Sequence, residues 1–218
     1  MAFPISPAFM VLCGKTGSGK SLLLQQLGLS GYPSIDLEKI ASHRGSVFGG
    51  LLLPPQPSQQ DFENELEKSF TRYTSSKYIF IEQKPPSLGK RKIPGWLYSK
   101  MEEGILIQLE ADKKIRINNI LTEYKSAGKK NFLDALHKLN ERLPATELRR
   151  SEGYLHQENY RAFIDSMLDY YDQSAKYQLR KKANIIISVT TTDPAHIMQQ
   201  LLESLQKTGI IISAGTLS

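Results

Sequence analysis

The chain alternates short apolar runs with longer segments in which apolar residues recur at helical spacing. Five runs have the length and composition of strands, at residues 9–13, 32–37, 77–82, 105–109 and 183–190. Runs with few polar interruptions are typical of strands that are buried on both faces, as in a parallel sheet. The alternation of strand and helix favours the same arrangement. The pattern therefore predicts an α/β fold, with a parallel sheet and helices on both of its faces.

A glycine-rich segment directly follows the first predicted strand. It reads Gly-x-x-x-x-Gly-Lys-Ser and consists of Gly14, Lys15, Thr16, Gly17, Ser18, Gly19, Lys20 and Ser21. In such a phosphate loop (P-loop, or Walker A segment), backbone N–H groups and the positive end of the next helix surround an anion. The lysine neutralises the outer phosphates and the serine hydroxyl binds Mg²⁺. We therefore predict a P-loop NTPase-like domain in which these eight residues bind a di- or triphosphate.

Helical patterns dominate the later part of the chain. After Asp112, apolar residues at i, i+3, i+4 and i+7 predict an amphipathic helix, namely Ile117, Ile120, Leu121 and Tyr124. Two further helical patterns occur within residues 132–139 and 160–171. We expect a single P-loop domain over residues 1–218, with an all-helical insertion at about 112–182. Such an insertion forms a lid or an RNA-facing subdomain.

Three acidic residues follow predicted strands. Asp36 and Glu38 lie at the end of the second strand, and Glu82 lies at the end of the third. In P-loop proteins a second acid approaches Mg²⁺, or a water bound to it, at this edge of the sheet. Together with Ser21 these residues form a predicted metal site. The alternatives are that Asp36 and Glu38 hold a ribose hydroxyl, or that all three are charges at the sheet edge.

The net charge is +6, and the lysine and arginine residues are clustered. Such clusters suit a polyanion such as RNA, although solvated helix ends and loops produce the same pattern. Six residues are candidates for contacts with substrate or RNA: His43, Arg44, Lys90, Arg91, Lys92 and Arg116. A guanidinium group can contact phosphate through two hydrogen bonds, and nearby glycines let an RNA chain approach.

The composition excludes several classes of protein. Apolar residues make up 40% of the sequence, which is enough for an ordinary core. We find no run of about 18 apolar residues and no charged-then-apolar leader, and therefore expect a cytoplasmic protein without membrane contacts. The single cysteine, Cys13, excludes a disulfide within the chain. Four histidines without a cysteine pair give no basis for a zinc site.

A series of short segments between residue 9 and about residue 125 follows the order seen in one family. Besides the P-loop, the segments are Ile35-Asp-Leu-Glu38, His43-Arg-Gly-Ser46 with Phe48-Gly49, Pro55-Gln-Pro-Ser-Gln59 with Phe62-Glu-Asn64, the strand ending at Glu82, Gly89-Lys-Arg-Lys-Ile-Pro94, and the segment from Arg116 to Tyr124. Together they resemble the carboxyl-terminal P-loop domain of bacterial tRNA 2-selenouridine synthase. The His-Arg-Gly-Ser and Phe-Glu-Asn segments are more specific than the P-loop alone.

The resemblance implies a role in modifying the wobble uridine of tRNA. In that family 2-thiouridine is S-geranylated from geranyl diphosphate, and selenophosphate then converts the product into 2-selenouridine. The implied cofactors are Mg²⁺ and either ATP or geranyl diphosphate, because both donors present a diphosphate to the P-loop. The implied partner is tRNA. No catalytic residue is assigned, because displacement at an allylic carbon needs no protein nucleophile.

Two features depart from the family. The full enzyme joins the P-loop domain to a rhodanese domain that carries a selenium-transferring cysteine, whereas this sequence begins almost at the P-loop strand. We therefore expect either a separate rhodanese-domain protein, or a role limited to nucleotide, diphosphate or prenyl transfer. The second departure is Glu82-Gln83-Lys84, where the family is expected to have a more acidic stretch.

Two other functions fit a P-loop with a helical insertion. An ATP-dependent small-molecule kinase would close the insertion as a lid over the transferred phosphoryl group. A nucleotide-binding adaptor would bind without catalysis. ATP consumption that depends on a small acceptor and not on tRNA would support the kinase. Nucleotide binding without turnover would support the adaptor.

Overall fold

The computed structural model of the chain describes residues 7–173, 182–210, 212 and 214. Its strands are β1 (Ala8–Cys13), β2 (Ser34–Ile35), β3 (Tyr78–Glu82), β4 (Ser87–Leu88), β5 (Arg91–Lys92), β6 (Ile105–Ala111) and β7 (Ile185–Val189). Its helices are α1 (Lys20–Leu29), α2 (Leu37–Ala41), α3 (Gln59–Thr71), α4 (Gly95–Glu103), α5 (Lys113–Glu123), α6 (Lys129–His137), α7 (Ala145–His156), α8 (Tyr160–Gln173) and α9 (Pro194–Lys207). None of the helices in this described part has the length and apolarity needed to span a membrane.

Five strands form one parallel sheet in the order β2-β3-β1-β6-β7. The carboxyl ends of all five strands therefore lie at the same edge. Leu12, near the end of β1, is paired with Glu82 at the end of β3. This register places Glu82 beside the start of the P-loop. The predicted parallel sheet is confirmed.

Both faces of the sheet are covered by helices. Along β1, Phe9, Val11 and Cys13 point to one face, where they pack with residues of α3 and α4. Met10 and Leu12 point to the other face and pack with α1 and α9. This alternation follows from the two-residue period of a strand. It explains why β1 is apolar at almost every position and confirms the predicted helical layers.

A third core lies within the helices between β6 and β7. It is built mainly from α5, α6, α7 and α8, with buried side chains that include Phe132, Leu136, Leu155, Phe163 and Met167. Phe48, from the segment after α2, packs edge-to-face against Phe163 with ring centroids 5.7 Å apart. The predicted insertion at about 112–182 includes residues 174–181, which lie outside the described residues.

Some local elements differ from the sequence-based expectation. The predicted strand at 32–37 is limited to Ser34–Ile35, because the Asp36 carboxylate accepts a hydrogen bond from the Lys39 N–H at 2.9 Å and starts α2. The segment Gly89-Lys-Arg-Lys-Ile-Pro94, to which no strand was assigned, contributes to a hairpin of β4 and β5. Helix α7 was not predicted. It buries only Ser151 and Leu155, so its sequence carries little apolar periodicity.

Candidate functional site

Residues 14–19 connect β1 to α1 in the geometry of an anion-binding loop. Gly17 and Gly19 have φ angles of 79° and 95°, which glycine adopts without strain. A Cβ on Gly17 would lie 2.7 Å from the carbonyl oxygen of Arg116, so glycine is needed where α5 approaches the loop. Gly19 is the N-cap of α1, and no side chain caps this helix. The first N–H groups of α1 therefore face the loop, as anion binding requires.

Lys20 folds back over the loop. Its Nζ atom donates hydrogen bonds to the carbonyl oxygens of Gly14, at 2.9 Å, and Lys15, at 3.0 Å. It also lies 3.8 Å from Glu82 Oε1. Burial lowers the pKa of Lys20, while the nearby Glu82 carboxylate opposes this shift. The ammonium group is thus held within the loop, where a bound phosphate would replace the carbonyl contacts.

Ser21, Glu38, Glu82 and Lys84 form a connected cluster at the start of α1. The Ser21 hydroxyl lies 2.8 Å from Glu82 Oε2 and 3.1 Å from Glu38 Oε2. Lys84 Nζ donates to Glu82 Oε1 at 2.6 Å and to Glu38 Oε1. Glu82 and Lys84 are both buried. Three of these residues were predicted to bind a metal, whereas Lys84 was not predicted to belong to the site.

The cluster shifts the pKa values of its members. Burial and the neighbouring Glu82 carboxylate raise the pKa of Glu38 to about 7, against the effect of Lys84. Burial disfavours the charged form of Glu82, but the ammonium groups of Lys84 and Lys20 outweigh it, so the pKa of Glu82 lies below its usual value. Burial opposes the charge of Lys84, but the two carboxylates raise its pKa.

The predicted metal-binding residues are only partly brought together. Asp36 caps α2 instead of joining Glu38 and Glu82. Over the residues that the structure describes, no group of three or more histidine, cysteine, aspartate or glutamate side chains is arranged to hold a metal. One oxygen of each clustered carboxylate is taken by Lys84. As arranged, the cluster does not fit a Mg²⁺ ion unless Lys84 is displaced.

Arg44 joins the segment after α2 to the helical core. Its Nε atom lies 2.5 Å from Glu123 Oε1, and Nη1 donates to the Leu51 carbonyl oxygen at 2.8 Å. The guanidinium carbon also lies 5.2 Å from the centre of the Tyr124 ring. Arg44 lines the cavity described below, so part of it faces the space where a substrate would bind.

His43 lies beside the β4–β5 hairpin. Its Nδ1 atom accepts a hydrogen bond from the Gly45 N–H at 3.0 Å. A Cβ on Gly89 would lie 2.8 Å from His43 Cδ2, so the imidazole packs closely against the hairpin turn. Burial and the adjacent Arg44 lower the pKa of His43. The shift favours the neutral imidazole, which couples the loop after α2 to the hairpin.

Lys90, Arg91 and Lys92 belong to this hairpin and do not line the cavity. Lys90 and Lys92 are exposed, and Arg91 is half-buried. Two glutamine side chains fix the hairpin: Gln56 Oε1 accepts from the Lys90 N–H at 2.8 Å, and Gln59 Oε1 accepts from the Lys92 N–H at 2.9 Å. The two lysines thus form an exposed positive turn on a well-anchored backbone.

The structure places Arg116 differently from the other candidate substrate contacts. It is 3% exposed. Its Nε atom donates to the Thr16 carbonyl oxygen at 2.7 Å, and Nη1 and Nη2 donate to the two Asp172 oxygens at 2.8 and 2.7 Å. Asn119, one helical turn along α5, donates to the Gly17 carbonyl oxygen at 2.8 Å. Arg116 and Asn119 therefore support the P-loop from behind.

A cavity of about 1350 Å³ opens at the P-loop. One wall contains the polar groups of the loop and the cluster, including Lys20, Ser21, Glu38 and Glu82. Another wall comes from the helical core and includes Phe48, Phe163, Ile164, Met167 and Leu168. The same space therefore has a polar region lined by the P-loop next to an apolar one.

Two solved structures superpose loosely on the chain. The crystal structure of TT1252 from Thermus thermophilus gives a TM-score of 0.46 at 15% identity and covers 93% of this chain and 98% of that one. A gluconokinase from Sinorhizobium meliloti gives a TM-score of 0.42 at 12% identity and covers 95% of each chain. Both scores lie below 0.5, so neither structure adds to the description of the site.

Curated relatives are more informative. A tRNA 2-selenouridine synthase from Marinobacter nauticus is 32% identical, over 84% of this chain and 57% of that protein. One from a Shewanella species, strain ANA-3, is 30% identical over 84% of this chain and 58% of that protein. The chain thus spans somewhat more than half the length of the relatives that it matches.

A family model extends this relation to the domain itself. The model described as the tRNA 2-selenouridine synthase AAA domain matches residues 7–157. The matched range contains the P-loop, the Ser21–Glu38–Glu82–Lys84 cluster, the β4–β5 hairpin, and helices α5 and α6. It covers more than half of the chain, and the resemblance noted from short segments is thereby confirmed. The chain belongs to the tRNA 2-selenouridine synthase AAA domain family.

Proposed function

We propose that this chain is the diphosphate-binding part of an enzyme that modifies the wobble uridine of tRNA. In this proposal it transfers a geranyl group from geranyl diphosphate to the sulfur of 2-thiouridine, on the route to 2-selenouridine. Family membership supports tRNA modification, because the matched relatives are named tRNA 2-selenouridine synthase.

The lining of the cavity favours geranyl diphosphate over ATP as the donor. Its anion-binding wall suits the diphosphate that ATP and geranyl diphosphate share, whereas the wall formed by Phe48, Phe163, Ile164, Met167 and Leu168 is apolar. A nucleotide base and ribose need polar partners when they are buried, and a prenyl chain does not. The volume of the cavity, about 1350 Å³, also exceeds the roughly 300–1,000 Å³ of a pocket for one small ligand. The extra space suits a nucleoside entering beside the donor.

The chemistry requires charge stabilisation more than a protein nucleophile. A lone pair of the thiocarbonyl sulfur forms the new C–S bond at the allylic carbon, the electrons of the C–O bond leave with the diphosphate, and the N3 proton of the base is lost to solvent. The P-loop N–H groups and Lys20 would stabilise the charge on the leaving oxygen. Cys13 does not act as a nucleophile here, because it is fully buried and burial raises its pKa to about 11.

We assign tRNA binding to the exposed side of the site. Lys90 and Lys92 on the hairpin would contact phosphates without regard to sequence, and His43 links this turn to the loop that carries Arg44. Selenium transfer is assigned to a rhodanese domain, because the fully buried Cys13 cannot supply the required cysteine.

Equilibrium binding of the two donors tests the proposal. The purified chain is titrated with geranyl diphosphate and with ATP, with and without 2-thiouridine tRNA, and diphosphate release is followed. We expect tighter binding of geranyl diphosphate, and diphosphate release only when tRNA is present. Lys20→Ala should abolish both, and Lys207→Ala on the exposed face of α9 serves as the matched control. ATP consumption that needs a small acceptor and ignores tRNA would instead establish a kinase.

A further inference from the structure

Lys84 belongs to no predicted site, yet its ammonium group lies among the residues predicted to bind Mg²⁺. Nζ donates one hydrogen bond to Glu82 Oε1, at 2.6 Å, and another to Glu38 Oε1. The other oxygen of each carboxylate lies 2.8 or 3.1 Å from the Ser21 hydroxyl. The two carboxylates thus bridge Lys84 to the first turn of α1.

The position of Lys84 conflicts with a bound metal ion. In a P-loop protein Mg²⁺ is held by the loop serine and by carboxylates or waters at the neighbouring strand ends. Here the corresponding groups are Ser21, Glu38 and Glu82, and Lys84 already donates a hydrogen bond to each of the two carboxylates. The Lys84 side chain is 7% exposed. Displacing it would leave a buried ammonium group without partners, which is strongly unfavourable.

We propose that the ammonium group of Lys84 supplies the positive charge that P-loop proteins ordinarily obtain from Mg²⁺. The inference rests on the proposed function, since it requires that the P-loop binds a diphosphate. Lys20 Nζ lies 3.8 Å from Glu82 Oε1, the same oxygen that accepts from Lys84. Two ammonium groups therefore flank one carboxylate oxygen beside the loop. A diphosphate binds next to this pair without a divalent ion.

A purely structural role of Lys84 makes a different prediction. Lys84 also connects Glu82, at the end of β3, to Glu38 in α2. If this were its entire role, its loss would lower stability and leave the ion dependence of diphosphate binding unchanged. The effect of Mg²⁺ on diphosphate affinity therefore separates the two roles.

The inference can be tested without any variant. The full chain is titrated with inorganic pyrophosphate in a calorimeter, once in EDTA and once in Mg²⁺. We expect dissociation constants that agree within about threefold. Binding that is about tenfold or more tighter with Mg²⁺ would overturn the inference and leave the proposed function in place. A lack of binding under both conditions would overturn the proposed function, and the inference with it.

Variants then test Lys84 itself. Lys84→Met should bind pyrophosphate about tenfold more weakly in EDTA, and Mg²⁺ should restore the affinity. It should also bind Mn²⁺ alone, seen as loss of the free-ion signal in electron paramagnetic resonance, which the wild type should not. If this variant unfolds, Lys84→Met is combined with Glu38→Gln, which leaves fewer unpaired charges. The double variant should bind pyrophosphate in EDTA about tenfold more weakly than Glu38→Gln alone. Lys207→Met is the control. Unchanged affinity in EDTA, of folded Lys84→Met against the wild type or of the double variant against Glu38→Gln, would contradict the inference.

Discussion

Arg116 and Asp172 form a two-pronged ion pair, with N–O distances of 2.8 and 2.7 Å, that joins α5 to α8 behind the P-loop. Arg116 Nε also donates to the Thr16 carbonyl oxygen, and Lys15 Nζ donates to Asp172 Oδ2 at 3.0 Å. The helical core and the P-loop therefore share one set of charged contacts. A substitution in this pair should therefore change both the stability of the fold and the affinity of the site.

Replacing Asp172 with asparagine should destabilise the protein and weaken diphosphate binding. The buried Arg116 would keep its charge without a carboxylate, so the free energy of unfolding should fall by about 2 kcal/mol. The dissociation constant for pyrophosphate should rise about tenfold, because the loop is less well supported. Denaturant unfolding and calorimetry measure the two effects. Asp165→Asn, which breaks a more exposed pair with Lys113, should change stability by about 0.5 kcal/mol or less.

Replacing Lys20 with alanine should abolish donor binding and leave the fold intact. The Lys20 ammonium group bonds to carbonyl oxygens of its own loop and contributes little to the three cores. Circular dichroism should match that of the wild type, while geranyl diphosphate, ATP and pyrophosphate should no longer bind measurably. Affinity for both donors close to that of the wild type would show that the P-loop is not the donor site.

Alanine at His43 or Arg44 should impair tRNA modification more than donor binding. His43 packs against the hairpin turn and Arg44 contacts Glu123, so both shape the side of the site assigned to tRNA. The loss of modification rate is compared with the loss of donor affinity. The first is measured with tRNA, and the second by titration with the donor in the absence of tRNA. Equal losses would assign these residues to the phosphate-binding side.

Anion affinity should depend on pH through Glu38, whose pKa is raised to about 7. Below this pH the carboxyl group is neutral, and above it the carboxylate adds negative charge beside the P-loop. Affinity for geranyl diphosphate should therefore fall, by about fivefold, as the pH rises through 7. Glu38→Gln should remove this component and leave any contribution from Lys20 or from the ligand. An unchanged pH profile in the variant would exclude Glu38 as its source.

A larger side chain at Met167 should distinguish a prenyl donor from a bare anion. Met167 lines the apolar wall, so Met167→Trp narrows that region without touching the P-loop. We expect about a tenfold loss of affinity for geranyl diphosphate and little change for pyrophosphate. Overpacking should cost about 1–3 kcal/mol, so binding is measured well below the unfolding temperature. Equal losses of affinity for both ligands would argue against a prenyl chain that lies along this wall.

The sequence predicted the parts of the site that follow from strand order. The P-loop follows β1 directly and Glu82 is the last residue of β3, and parallel strands bring their carboxyl ends to one edge. The role of Lys84 was not predictable, because a lysine after a strand is usually solvated and only the register of β3 places it between two carboxylates. The pair of Arg116 and Asp172 is separated by 56 positions and depends on how α5 and α8 pack. No local pattern contains that information.

The proposed transfer of a geranyl group to tRNA changes the mass of the wobble nucleoside, which can be measured. The purified chain is incubated with 2-thiouridine tRNA and geranyl diphosphate, or with ATP in place of the prenyl donor, and the digested tRNA is analysed. We predict a nucleoside whose mass exceeds that of 2-thiouridine by one geranyl group less one hydrogen. It should form only with geranyl diphosphate, and it should be absent with Lys20→Ala. An unmodified 2-thiouridine after incubation with a chain shown to bind both ligands would contradict the claim.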